Sequence, residues 1–176
     1  LDALGRPDTD ETDELTARRF LTAQAVMLSI QGMPAIYFHS MFGSRGWPEG
    51  VAQTGTNRAV NRQKLERIQL EQELSDEGSL RRLIFDGYQE LLRARAGHSA
   101  FAPAASQRII GLHTGIFTVL RSGDRGSVLC LHNVSGDSIS VDASPLLGGR
   151  TPRAVVGADR GPHIDLLPYE TLWVAF

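Results

Sequence analysis

The sequence predicts an α/β part followed by an all-β part, and three observations carry that prediction. An apolar run, Ala35-Ile-Tyr-Phe38, comes directly after the helix-breaking Gln31-Gly-Met-Pro34. Amphipathic helical spacing precedes this run and returns over residues 79–96. After Pro103 the apolar period drops to two, and Gly, Asp and Ser clusters interrupt it every eight to twelve residues.

The first helix is expected to open at Thr9 or Thr12, either of which can cap it, with acidic residues in its first turns facing the unpaired N–H groups. Leu15, Phe20, Leu21, Ala25, Val26, Leu28 and Ile30 run near helical spacing, and Arg18 and Arg19 read as a solvated patch. Pro34 cannot donate to a helical ladder and biases Met33 away from helical angles, so the helix ends there. Ala35 to Phe38 is too short for a helix and too evenly apolar for a half-exposed strand. The run suits a parallel strand covered on both faces. One such strand needs partners that the sequence does not supply, so the chain is expected to be a fragment without its native N-terminus. About forty polar residues follow, with a short helix over 63–74, and loops of that length are functional or disordered. In the second long helix Leu80, Leu83, Ile84, Tyr88, Leu91 and Leu92 form the apolar stripe, opposite Arg81, Arg82, Asp86 and Glu90, and Gly97 supplies the C-cap. Short strands are expected over 108–113, 116–121, 127–132, 138–142 and 171–176, with one or two more within 151–168. Ser122-Gly-Asp-Arg-Gly126 reads as a hairpin turn. The whole pattern predicts an antiparallel sandwich.

Composition excludes several function classes. At 176 residues and 41% apolar the chain can bury a sizeable core. A net charge of −2 gives no attraction to nucleic acid or an anionic membrane. Lys64 is the only lysine, so the other basic residues are arginine, a bias that reflects base composition. One cysteine, Cys130, excludes an intrachain disulfide and suits a reducing, cytoplasmic setting; in its apolar strand it reads as a small inert hydrophobe. No stretch approaches the ~20 apolar residues of a membrane span, and no signal peptide is visible. His113, His132 and His163 lack metal-ligand spacing, and no Gly-rich phosphate cradle precedes a helix, so neither metal nor nucleotide cofactor is expected.

Three pieces in order carry a family resemblance. They are Gly32-Met-Pro-Ala-Ile-Tyr37, then Leu91-x-x-x-Arg95-x-x-x-x-Ala100-Phe101, then a small β region closing on Leu167-Pro-Tyr-Glu-Thr-Leu-Trp-Val174. This combination resembles the C-terminal third of the α-amylase superfamily, glycoside hydrolase family thirteen. The resemblance implies the seventh helix, eighth strand and eighth helix of a (β/α)8 barrel over 1–101, then an antiparallel β-sandwich domain over 102–176. The loop narrows the likeness. Asn57-Arg-Ala-Val-Asn-Arg62 is similar to the Gly-Arg-Asp-Ile-Asn-Arg segment of the sucrose phosphorylase group, with Asn57 in place of Gly and Ala59 in place of Asp. The strand continues as His39-Ser-Met-Phe-Gly-Ser44, and the Ser40 to Arg45 segment looks nearer to relatives that phosphorolyse glucosylglycerate or phosphorylated sucrose than to sucrose phosphorylase itself.

The resemblance implies a retaining double displacement on an α-glucoside. One carboxylate attacks the anomeric carbon while a carboxylic acid protonates the leaving oxygen. Inorganic phosphate then takes the glucosyl group as α-glucose 1-phosphate. In the family the three catalytic carboxylates precede the seventh helix, so none is assigned here, and the acids of residues 8–14 are not substitutes. By position Arg58 carries over as the arginine that binds acceptor or phosphate, with Asn57 beside it and His39 at the strand's C-terminal end, where barrel sites are built. The plainer readings stand next to these: Arg58 as a solvated loop arginine, Arg62 as a loop brace, His39 as a satisfied core histidine, and Phe42 and Trp47 as an aromatic plug under the loop. A fragment of this kind is expected to self-associate through its unpaired strand and to be inactive alone. The alternatives are a fragment of an amylase-type hydrolase, or a non-catalytic carbohydrate-binding or structural β domain. Against a binding module, residues 107–176 hold only Phe117, Tyr169, Trp173 and Phe176 as aromatics.

Overall fold

A computed structural model describes residues 1–5 and 10–176. Thr9, one of the two expected caps, lies outside the described residues. The elements are α1 (Asp13–Ser29), α2 (Phe38–Met41), α3 (Pro48–Thr54), α4 (Arg67–Ser75), α5 (Leu80–Gly97), β1 (Ser106–His113), β2 (Ile116–Gly123), β3 (Gly126–Asn133), β4 (Ile139–Asp142), α6 (Ser144–Leu147), β5 (Arg153–Val156), β6 (His163–Leu166) and β7 (Thr171–Ala175). A 3₁₀ turn, Asn57–Asn61, lies between α3 and α4, and another, Ser99–Phe101, follows α5. By compactness the chain forms two units, Leu1–Phe20 with Ala35–Tyr88, and Leu21–Pro34 with Gln89–Phe176. Each long helix gives its first half to one unit and its second half to the other, and all of the strands fall in the second.

In the first unit Thr12 caps α1, its Oγ1 accepting from Leu15 N–H at 3.3 Å. Arg19 is not solvated as expected. Its side chain is 10% exposed and bidentate on Glu11, and it also donates to the Leu4 carbonyl at 3.1 Å. Ala17, Phe20, Ile84 and Tyr88 form the buried stripes of α1 and α5, with Phe20 edge-on to Tyr88 at 6.3 Å. The expected strand at 35–38 is absent. Ala35 to Tyr37 belongs to no strand, although Tyr37 is extended (φ −77°, ψ 138°), and Phe38 opens the helical turn α2. The reason is physical. A strand exists only through pairing, and every strand pair among the described residues is antiparallel and lies after residue 105. The apolar run is correspondingly open, with Tyr37 51% and Phe38 55% exposed. The stretch after it is not one long loop: α2, α3, the Asn57–Asn61 turn and α4 divide it.

In the second unit β1, β2, β3, β7 and β5 form one antiparallel sheet in that order, and β4 pairs with β6. All five strands placed by periodicity are present, and 151–168 holds two more, β5 and β6. The β2–β3 hairpin closes with Gly123 opposite Gly126. A side chain at Gly123 would meet the Ser99 backbone at 2.6 Å, so only glycine fits there. The central strand β3 is buried on both faces. Leu129 and Leu131 join Leu172, Val174, Ile164, Leu166 and Leu147 in the main core. Val128, Cys130 and His132 point the other way, where the end of α1 and the Ser99–Phe101 turn cover them. Trp173 and Tyr169 are buried and Phe117 and Phe176 partly so, leaving no exposed aromatic platform on the sheet.

The motif Leu91-x-x-x-Arg95-x-x-x-x-Ala100-Phe101 now has a structural account. An α-helix leaves its last carbonyls unpaired. Arg95 donates to the carbonyls of Leu28, Ile30 (3.4 Å) and Gly32 (2.5 Å), and Arg121 donates to that of Ser29 at 3.0 Å. Two cations therefore cap the negative end of α1. Phe101 lies between them, its ring centre 5.7 Å from the Arg95 guanidinium and 5.8 Å from that of Arg121, and tilted on Trp173 at 4.9 Å. Gly97 is the last helical residue of α5 and is not left-handed, so it does not form the C-cap expected of it.

Candidate functional site

The site residues expected from the sequence all lie in the first unit. Tyr37 leads into the α2 turn, which ends in a tight loop where Gly43 N–H donates to Ser40 O (3.1 Å) and Ser44 N–H to His39 O (2.9 Å). Gly43 takes φ +56°, and a Cβ there would fall 2.2 Å from the Ile84 side chain. The left-handed backbone favours glycine, and any added Cβ would also have to displace the Ile84 side chain of α5. Arg81 of α5 holds the loop from below. It donates to Phe42 O at 3.0 Å and Ser44 Oγ at 3.3 Å, and pairs with Glu73. A guanidinium can only donate, so Ser44 Oγ accepts from it, and the same hydroxyl shares a hydrogen bond with His39 Nδ1, 3.1 Å away. Phe42 stacks on Phe85 at 5.3 Å and 9°, and Trp47 covers Gly50, so both aromatics act as plugs beneath the loop.

Downstream, Trp47 N–H donates to Val60 O at 2.8 Å and Tyr37 Oη to Asn61 O at 2.8 Å. These bonds tie the Asn57–Asn61 turn to the chain on either side of α2. The result is a cleft of ≈ 180 Å³ lined by Leu1, Tyr37, His39, Ser40, Ser44, Arg45, Asn61 and Gln63. Its acidic neighbour is Asp2, which receives Arg45 Nη1 at 3.1 Å and the Gly46 N–H at 2.6 Å.

Of the three residues singled out by sequence, His39 lines this cleft. Asn57 and Arg58 do not; they are exposed on the 3₁₀ turn whose last residue, Asn61, does. Among the described residues neither Arg58 nor Arg62 has a side-chain hydrogen bond or ion pair. Sequence reasoning gave no site role to Ser44, Arg45, Asp2 or Arg81. Arg81 sits on the polar face of α5, and nothing in periodicity separates an arginine that braces a loop from one that faces water.

Similarity to known proteins follows this geometry. No family model matches the chain. It is 35% identical over 173 residues to glucosylglycerate phosphorylase of Allomeiothermus silvanus, a match covering 98% of the chain and 30% of that protein. The glucosylglycerate phosphorylase of Escherichia coli is 34% identical over 175 residues, covering 99% and 31%. That of Spirochaeta thermophila is 48% identical over 121 residues, covering 68% and 21%. The chain is thus similar over nearly its whole length to glucosylglycerate phosphorylases. It spans less than a third of the length of these curated relatives. Among solved structures it is similar to a trehalulose synthase (TM-score 0.68, 15% identity, 99% of the chain and 40% of that one). It is also similar to a cyclic α-maltosyl-(1→6)-maltose hydrolase of Arthrobacter globiformis (TM-score 0.65, 20% identity, 91% and 30%). At those identities the likeness is one of fold. The similarity to glucosylglycerate phosphorylases accords with the resemblance that the loop residues carry.

Proposed function

We propose that the chain is the C-terminal part of a cytoplasmic, retaining glycoside phosphorylase that transfers glucose from glucosylglycerate to inorganic phosphate. The identity of 35% over 98% of the chain is the observation that carries this reading. In the longer enzyme α1 and α5 serve as the seventh and eighth barrel helices, and Ala35 to Tyr37 pairs as the eighth strand between partners. Residues 102–176 then form the C-terminal sandwich domain. The exposed Tyr37 and Phe38 support that pairing, because an apolar run left open in one piece is a run covered in another.

The chemistry divides between the parts. Carboxylates outside this chain form and discharge the glucosyl-enzyme: one attacks C1 as the other protonates the glycerate oxygen. A phosphate oxygen then attacks C1, the enzyme carboxylate leaves, and α-glucose 1-phosphate is released. Residues of this chain bind and orient on the acceptor side, and no cofactor beyond the phosphate co-substrate is required. The 176-residue chain alone should therefore release no glucose 1-phosphate from glucosylglycerate, since nucleophile and acid act as a unit. A phosphate-dependent assay compares it with the longer protein that contains these residues; activity in the short chain, or none in the long one, overturns the reading.

Arg58 is the acceptor-side arginine in this proposal, and its exposed guanidinium without a described partner supports that role. Arg58→Ala in the longer enzyme should slow phosphorolysis about ten- to a hundredfold, the worth of a charge-assisted hydrogen bond. Glucosylation by an activated donor in a single turnover should change little. Arg58→Lys keeps the charge, loses the bidentate fork, and should rescue only in part. Equal losses in both half-reactions would make Arg58 a scaffold residue.

A further inference from the structure

We propose that the Arg45 guanidinium and the Gly46 N–H form a seat for a carboxylate, and that in the enzyme this seat takes the carboxylate of the glycerate acceptor. The inference rests on the phosphorylase reading above. Its basis is the way Asp2 sits: one carboxylate oxygen on Arg45 Nη1 at 3.1 Å, the other on the Gly46 N–H at 2.6 Å. Two oxygens on two separate donors is the arrangement of a recognised carboxylate rather than of a loose ion pair. A Cβ on residue 46 would stand 3.3 Å from both Asp2 Oδ2 and the Val60 side chain, so a side chain there would crowd the occupant of the N–H.

Asp2 is an occupant that can be displaced. The side chains of Arg45 and Asp2 are 61% and 49% exposed, and a pair so open to water holds together only weakly. An external carboxylate competes for the same donors. Arg45 lines the ≈ 180 Å³ cleft together with His39, Ser44 and Asn61, whose imidazole, hydroxyl and amide groups pair naturally with alcohols. Glycerate brings one carboxylate and adjacent hydroxyls, so it matches the seat and its surroundings, and the cleft is small enough to suit a three-carbon acid. Arg58, on the neighbouring 3₁₀ turn, is left free to serve phosphate.

The test uses the 176-residue chain and its amide spectrum, titrated with D-glycerate, glycerol or inorganic phosphate. D-glycerate should shift the Gly46 amide saturably, and glycerol at equal concentration should not. Asp2→Asn removes the competing carboxylate and should tighten glycerate about tenfold, whereas Arg45→Met should weaken it at least about tenfold. Both side chains are exposed, and an unchanged spectrum away from the cleft verifies folding; the unsubstituted chain provides an independent titration. No movement of Gly46 in the Asp2→Asn chain overturns the seat, as does unchanged glycerate binding after Arg45→Met. Movement by phosphate but not glycerate overturns the carboxylate assignment. Absence of phosphorolysis in the longer enzyme would strike the activity reading alone, because this titration reads binding without turnover.

Discussion

Replacing Arg121 by alanine is expected to destabilise the second unit by about 3–5 kcal/mol, the range for breaking a buried charged network. The side chain is fully buried, yet its partners are carbonyls: Ser29 (3.0 Å), Ala102 (3.1 Å), Ala105 (3.4 Å) and Ser106 (3.3 Å). Burial, and then the charge of Arg95, push its pKa down, but a guanidinium keeps its proton at any ordinary pH. The cation is tolerated because aligned carbonyl dipoles, the negative end of α1 and the face of Phe101 surround it. Alanine leaves the buried bond to the Ser29 carbonyl unmade, at roughly 1–3 kcal/mol for an acceptor that water cannot reach, gives up the three part-buried bonds, and opens a cavity as well. Arg121→Met fills the space without the donors, so it should still cost at least about 2 kcal/mol. Lysine should fall between, since an ammonium cannot span four carbonyls as a planar fork does. Urea unfolding followed by Trp173 fluorescence in a Trp47→Phe background measures this. A loss below about 1 kcal/mol for alanine would show that water reaches the carbonyls and that the buried network is unimportant.

Acid should weaken the same unit through His132. Its Nε2 faces Ser29 Oγ at 3.2 Å and its Nδ1 faces Thr171 Oγ1 at 3.3 Å, between the rings of Phe117 (6.1 Å) and Trp173 (6.3 Å). No carboxylate among the described residues pairs with it. Burial lowers its pKa from 6.5 to about 3. Between those values the unfolded chain binds a proton that the folded chain refuses, so stability rises with pH across this window. The contribution is complete above about pH 6.5 and declines as pH falls toward 3; at pH 5 the loss is already about 2 kcal/mol. His98, also depressed by burial and by Arg125, adds an effect of the same sign. Comparison with His132→Gln, which keeps a polar group but cannot titrate, isolates the His132 share. Unfolding free energies from urea titrations at pH 7 and pH 5 should differ by about 2 kcal/mol more in the natural chain than in the variant. Equal pH dependence in both would mean that His132 titrates normally, and therefore that it is wet.

Local chemistry wrote much of this molecule legibly. Thr12 caps α1 because its hydroxyl reaches a first-turn N–H three residues on, and that depends on nothing distant. The stripe through Ile84, Tyr88 and Leu91 follows from a period of 3.6 residues, and five of the strands follow from a period of two with glycine-rich turns, whereas 151–168 reads only as holding one or two more. The group was legible for another reason. Leu91, Arg95 and Phe101 keep a fixed spacing because one arginine must reach the end of α1 while the phenylalanine lies under it.

What escaped the sequence is what depends on partners far along the chain. Ala35 to Phe38 has the composition of a strand, but the ladder it would join is not formed by these residues, so the backbone at Phe38 coils instead. Arg19, Arg81 and Arg121 all resemble surface arginines in their local windows. One is paired beneath α1, one holds the His39–Ser44 loop, and one is fully buried, because acids and carbonyls distant in sequence arrive beside them only on folding. The cleft itself is of this kind. Sequence placed His39, Asn57 and Arg58 on the acceptor side, whereas the fold placed His39, Arg45 and Asn61 around one small volume and left Arg58 outside its lining. Periodicity and propensity act over a few residues and set most of the elements; contacts between separate segments, from Arg19 with Glu11 to Arg121 with Ser29, form only in the folded chain and decided which side chains meet.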